Sequence, residues 1–257
     1  MNDLRDVASA FGRIFEFHQP RRPDETLGSL TVEEAYRVQK MVIEERISKG
    51  ERLAGYKVGC TSAAIRRQFG LAEPIQGCVM APWLHHGNAD LNWTDYHQPA
   101  VEPEFVLAIG KELRDEVGEN EPMEHAIEFV SPGIEVHHYH FWFGEPTAQE
   151  LIASNGIHAA LAIGDQKTNP RDFDWNAENV TLLKNGRVAA SGVGAEIMGG
   201  PMNSLRWLVN HLVRRGDSLK PGDVVIPGSP VELVSVDRGD VVTARFNHLG
   251  QTEAVFG

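Results

Sequence analysis

Apolar positions in the first fifty residues recur at helical spacing. The run from Leu4 to Phe17 is loosely amphipathic, and Pro20 and Pro23 end it. Thr31 and Glu34 then form a T-x-x-E capping box, Ala35, Val38 and Val42 follow at helical spacing, and Gly50 after basic Lys49 supplies a stop. After Gly55 the pattern shortens and its period falls to two. Alternating runs at 102–109, 133–140, 159–163, 180–183 and 241–246, separated by Gly, Pro and Asn, predict strands and turns. Pro201 then opens a last helix whose Leu205, Leu208, Val209, Leu212 and Val213 make one stripe ending at Gly216. These elements predict an α+β chain in which an amphipathic helix lies against a mostly antiparallel sheet. Without internal repeats or linker-like stretches, 1–257 reads as one catalytic domain, with a helical segment over 1–50 and a β-rich core over 51–257.

At 257 residues and 42% hydrophobic content, the chain can bury one substantial core. A net charge of -12 makes nucleic acid an unsuitable partner, because the surface repels phosphate. No stretch reaches the roughly 20 apolar residues of a membrane span, and the N-terminus lacks a signal-peptide apolar region, so no membrane partner and a cytoplasmic location are expected. Cys60 and Cys78 are too few for a disulfide framework and read as structural thiols.

The chemistry concentrates in carboxylates. In VEPEFVLAIG the strand period puts Glu102 and Glu104 on one face with Pro103 on the other. The apolar residues 105–109 carry this strand into the core, where two carboxylates in one small space require a cation or a proton. Glu135, in SPGIEVHHYHFW, is a third. Three oxygen ligands with open positions suit magnesium or manganese. Glu135 and His137 share a strand face, so a mixed histidine-carboxylate site is the rival; otherwise His137, His138 and His140 serve as hydrogen-bonding groups near the pocket. Lys57 lies in GYKVGCTS, before the hydroxyls of Thr61 and Ser62. It reads equally well as a carboxylate-binding or proton-transferring lysine and as a surface lysine on an edge strand. The stretch GVGAEIMGGP has no phosphate-cradling spacing and reads as turns.

Together these segments resemble the 2-keto-4-pentenoate hydratase and 4-oxalocrotonate decarboxylase family of the fumarylacetoacetate hydrolase superfamily. The likeness runs in order through TVEEAYRVQ, GYKVGCTS, EPIQG, VEPEFVLAIG, GIEV, GGPMNSLRWLVNHL and LKPGDVVIPGS. It implies a mixed β-sandwich roll of the fumarylacetoacetate hydrolase C-terminal type, metal ligands at Glu102, Glu104 and Glu135, an active-site lysine at Lys57, Mg2+ or Mn2+, and a homo-oligomer. It also implies a small 2-oxo or 2-hydroxydienoic acid substrate, with Ser62, Asn155 and Ser229 as substrate-binding groups, and a complex with a related pathway enzyme. Three departures stand out. EPIQG replaces a family E-P-D-Y-G, so Ile75 stands for an acid; His138, Tyr139 and His140 replace an Asp-Ser-Arg; and Ala153, Ser154 and Asn155 replace an Ala-Asp-Asn. His138 or His140 is the expected substitute for the missing acid. The expected reaction is hydration of a 2-hydroxy-2,4-dienoate to a 4-hydroxy-2-oxo acid. Decarboxylation, acylpyruvate-type carbon-carbon hydrolysis and a non-catalytic partner subunit are the alternatives. Residues 141–143 frame an apolar substrate tail as readily as the histidines bind a second acid.

Overall fold

The structure, a computed structural model, describes residues 4–17, 30–139 and 145–257. Helices α1 (Leu4–Phe17) and α2 (Val32–Ser48) fall where the apolar spacing predicts. The Thr31 hydroxyl accepts the Glu34 N–H, and Glu34 Oε2 accepts the Thr31 N–H at 2.8 Å, which satisfies two donors that a helix start otherwise leaves open.

The strands follow as β1 (Leu53–Gly59), β2 (Ile75–Met80), β3 (Leu84–His86), β4 (Ala89–Leu91), β5 (Ala100–Ile109), β6 (Ile127–His137) and β7 (His158–Ile163). After them come β8 (Asn179–Lys184), β9 (Arg187–Val193), β10 (Val224–Ile226), β11 (Val234–Ser235), β12 (Val241–Phe246) and β13 (Gly250–Phe256). Helices α3 (Ala63–Phe69), α4 (Ala148–Ala153) and α5 (Pro201–Arg214) interrupt them. The period reading finds α5 but not α3 or α4. No residue of α3 is buried, so it carries no apolar stripe, and α4 has only 6 residues. The strand expected over 133–140 begins earlier and stops at His137, because Ile127, Val130 and Ile134 all bury into the core.

One sheet has the order β2-β1-β10-β5-β6-β7-β3, with β11 on β5, and the other runs β4-β13-β12-β8-β9. Most pairs are antiparallel; β1 with β10, β3 with β7 and β4 with β13 are parallel. Inward side chains of both sheets share one core, in which Phe105 of β5 meets Phe246 of β12 at 5.1 Å between ring centroids. A second core lies under the N-terminal helices: Val7, Ala8 and Phe11 of α1 and Val38 and Val42 of α2 pack with Ile75 and Ile152. Buried Gln39 ties the two parts together, its Nε2 donating to Gln76 O at 2.9 Å and Ile152 O at 2.8 Å. In β1, Gly55 has φ +156, and an added Cβ would lie 1.8 Å from Val224 O, so only glycine lets β10 approach here.

At the junction of α2 and α5, His211 accepts from Arg215 Nε at 3.0 Å and lies between the rings of Tyr36 and Trp207. Burial, helped by the Arg215 charge, pulls its pKa down to about 4. The unfolded chain takes this proton near pH 6.5, whereas the folded chain refuses it until about 4. Its contribution to stability is therefore complete above pH 6.5 and shrinks as pH falls toward 4. We expect the melting temperature to drop over that window, and to drop less in His211→Gln; equal slopes in the two proteins would assign the loss to other groups.

Candidate active site

The β5–β6 hairpin builds the site. Its register sets Glu102 opposite Glu135 and Glu104 opposite Gly133, and period two turns all three carboxylates to one face. Glu104 and Glu135 are each 1% exposed, whereas Glu102 is half-buried at the rim. Lys57 enters from β1, which lies inside the sheet between β2 and β10 and not at its edge, and at 3% exposure the lysine is no surface residue. Lys57 Nζ is 2.7 Å from Glu135 Oε1 and donates to Gly156 O at 3.2 Å. Gly77, opposite Lys57 on β2, leaves room for the stem, since a Cβ there would lie 2.8 Å from Lys57 Cγ.

His158, at the start of β7, places Nδ1 2.8 Å from the same Glu135 oxygen. His137 Nε2 lies 3.2 Å from Glu102 Oε2 and 3.4 Å from Glu135 Oε2. Glu102, Glu135 and His137 thus bring three potential ligand atoms within 4.8 Å of one another. Glu104 Oε2 accepts the Gly228 N–H at 3.1 Å, while its Oε1 has no hydrogen-bond partner among the described residues.

The electrostatics follow from this packing. Burial, reinforced by Glu135 and Glu102, holds the Glu104 carboxyl well above the usual carboxylate range. Burial also opposes ionisation of Glu135, but His137 and Lys57 outweigh it and keep that carboxyl well below its ordinary value. Burial would discharge Lys57, yet Glu135, with Glu102 and Glu104 behind it, raises its pKa and keeps it an ammonium. His158 is pulled down by burial and stays neutral, so Nδ1 carries the proton it donates to Glu135 and Nε2 keeps a lone pair.

The other expected site residues are placed less centrally. Ser62 caps α3, its Oγ accepting from Ile65 N at 3.1 Å, and Ser229 Oγ accepts from Val231 N at 3.2 Å. Their loops meet beside Glu104, where Gly228 abuts Thr61. Asn155 Oδ1 accepts from Cys78 N at 2.6 Å and its Nδ2 donates to Cys78 O at 2.8 Å, which braces β2 against the turn that supplies the Gly156 carbonyl. Ile75 is 2% exposed and packs in the apolar cluster under α1 and α2, confirming that no acid stands at that position. His138 accepts from His97 N at 3.2 Å and tilts against Tyr96 and His97. It lines a cavity of about 270 Å³ together with His158, Trp83 and the end of α2. The histidine bonded to Glu135 is therefore His158, which the sequence reading passed over. His140 lies outside the described residues. Both cysteines are free, and burial pushes their thiols up to about 11 for Cys60 and about 12 for Cys78, which fits structural thiols.

A mixed β-sandwich that gathers two buried carboxylates and one half-buried one against one ammonium defines a centre suited to a divalent cation. The chain belongs to the fumarylacetoacetate (FAA) hydrolase C-terminal family, whose profile matches residues 76–256. It resembles the TodF product hydratase of Pseudomonas putida F1, with 30% identity covering 90% of this chain and 86% of that protein. The 2-keto-4-pentenoate hydratase of Paraburkholderia xenovorans LB400 is 28% identical over 98% of this chain and 94% of its own. Among solved structures, 4-oxalocrotonate decarboxylase from Pseudomonas putida G7, complexed with magnesium and adipate, superposes with a TM-score of 0.91 at 23% identity, covering 99% of this chain and 97% of that one. Within the family, these full-length relatives are hydratases, in line with the motif likeness.

Proposed function

We propose that this chain is a metal-dependent hydro-lyase that adds water to a 2-hydroxy-2,4-dienoate of the 2-keto-4-pentenoate type, giving a 4-hydroxy-2-oxo acid. The observation that carries the reading is the charge balance of the site. With Glu102, Glu104 and Glu135 all ionised and His137 neutral, three negative charges face the one positive charge of Lys57, a deficit of two that one divalent ion would fill. The metal-free site offsets it by raising the pKa of both Glu104 and His137. The unpartnered oxygens Glu104 Oε1 and Glu135 Oε2 are the donors such an ion would satisfy. We assign the ion as Mg2+ or Mn2+, held by Glu102, Glu104 and Glu135; magnesium accompanies the decarboxylase with the same fold.

When bound, the cation supplies Lewis-acid stabilisation of negative charge on the substrate's 2-oxygen and carboxylate. The side chains around it then divide the work. Lys57 is protonated, and its contacts with Glu135 and Gly156 leave one of its three protons without an acceptor among the described residues. Nζ can therefore deliver that proton to the far carbon of the dienol while the 2-hydroxyl releases its own, which restores the ammonium. The resulting 2-oxo-3-enoate is electrophilic at C4, where water adds its hydroxyl as C3 takes its proton. Glu135 and the Gly156 carbonyl hold Nζ in place, and His158 fixes Glu135 from behind. Thr61, Ser62 and Ser229 are the polar groups we assign to the mouth, and the whole chain acts as one catalytic unit. No helix among the described residues is long and apolar enough to cross a membrane; we read the enzyme as a cytoplasmic homo-oligomer, able to associate with a related pathway enzyme.

Apolar Ile75 favours one second reading. Decarboxylation of a 4-oxalocrotonate-type acid needs the same cation and lysine but no extra acid to handle water. The decisive assay follows the ultraviolet absorbance of 2-hydroxypenta-2,4-dienoate with Mg2+ or Mn2+, with chelator, and in Glu104→Gln. We expect metal-dependent loss of absorbance that falls by about 10³-fold or more in the variant, consistent with removing a ligand of a catalytic ion. Chelator-insensitive turnover would sink the metal reading, and carbon dioxide release from a 2-oxo-3-enedioate without dienoate hydration would move the chain to the second.

A further inference from the structure

We propose that Nε2 of His137 is itself a ligand of the divalent cation, and that this imidazole biases the site toward transition-metal ions such as Mn2+ over Mg2+. The proposal rests on the divalent-cation reading above and deepens it, because the motif likeness assigns three glutamates and no nitrogen.

Three observations point the same way. His137 follows Glu135 by two residues on β6, so the alternation that aims the carboxylate into the site aims the imidazole there as well. At 3% exposure the ring has no bulk water to turn to, and neither of its nitrogens makes an aligned hydrogen bond with a described residue. Nε2 nevertheless sits 3.2 Å from Glu102 Oε2 and 3.4 Å from Glu135 Oε2, and that Glu135 oxygen is also without an aligned partner. Two donors each about 2.1 Å from one ion are roughly 3.0 Å apart at an octahedral right angle and roughly 3.4 Å apart at a tetrahedral one. Both distances from the imidazole are thus those of ligands on a shared ion, the three groups offer ligand atoms within 4.8 Å of one another, and the imidazole is misaligned as a hydrogen-bond partner of either carboxylate.

The chemical consequence concerns selectivity. Magnesium prefers oxygen and keeps its waters, whereas imidazole suits the first-row transition ions. Adding a neutral nitrogen also leaves the charge balance unchanged: the three carboxylates and Lys57 still call for a charge of two. The competing account is an imidazolium that bridges Glu102 and Glu135 and ligates nothing.

Electron spin echo envelope modulation of the Mn2+-loaded wild-type protein separates the two. A ligating His137 gives nitrogen modulation of a directly bound imidazole. The pattern changes on incorporation of 15N-histidine, disappears in His137→Leu and survives in His158→Gln. In competition titrations, His137→Leu should lose about ten-fold in Mn2+ affinity and less than about two-fold in Mg2+ affinity. Bound Mn2+ without nitrogen modulation, or equal losses for both ions, overturns the ligand role while leaving the carboxylate site intact. Failure of Mn2+ to bind the wild-type protein overturns this inference and the metal reading together.

Discussion

Replacing Lys57 by Met should abolish turnover while tightening the grip on the metal. The ammonium is the one lysine charge among the carboxylates, 2.7 Å from Glu135, and it also supplies the proton that the proposed reaction needs. Losing a positioned acid costs roughly 10²–10⁴-fold in rate. Losing a cation beside the metal removes a repulsion, so metal affinity should rise even as activity vanishes. The metal-free protein responds in the opposite sense. Without Lys57, Glu135 keeps only its His137 and His158 contacts, and breaking a buried pair on one side destabilises by roughly 3–5 kcal/mol. Thermal melts with and without Mg2+ or Mn2+, beside calorimetric titration, read all three effects. A Lys57→Met protein that binds metal more weakly than wild type would show that the lysine holds the ligands in position and does not oppose the ion.

Much of this site is legible locally and part of it is not, and the division follows the range of the contacts. Alternation within β5 puts Glu102 and Glu104 on one face, because one strand decides which way its own side chains point, whereas Glu135 meets them through the β5–β6 register. Lys57 stays ambiguous in sequence. Its burial depends on β10 pairing with β1, where Gly55 meets Val224 across most of the chain, and no local pattern near GYKVGCTS carries that fact. His158 is missed for the same reason: the β6–β7 register sets His137 opposite His158, while the sequence offered only an isolated His at the head of an Ala-rich strand. The Gly228 N–H on Glu104 likewise comes from a turn far along the chain. Asn155 carries a role of the same long-range kind, because its amide braces the Cys78 backbone across the chain and no local pattern announces that contact. The helices divide by the same logic: α2 and α5 show apolar faces, whereas α3 buries nothing and leaves no stripe to read.

Glu135 is the hub that these long-range contacts share, and Glu135→Gln should be the most damaging single change in the site. It accepts from Lys57 and His158 through one oxygen and faces His137 with the other. The amide keeps the shape but removes the charge, so Lys57 becomes a buried cation without its nearest partner, and burial then drives its pKa down. Metal affinity should fall by at least about 10²-fold, with turnover lost alongside it. Stability of the metal-free protein should fall by roughly 3–5 kcal/mol, the cost of stranding one member of a buried pair. The double variant Lys57→Met/Glu135→Gln distinguishes this cause from general damage to the core. With both charges gone no ion is stranded, so the pair should be less destabilising than the sum of the single changes, with a coupling of roughly 1–3 kcal/mol. Strict additivity in denaturant unfolding would mean that the 2.7 Å contact contributes nothing of its own, and that Glu104 and Glu102 alone set the charge of Lys57.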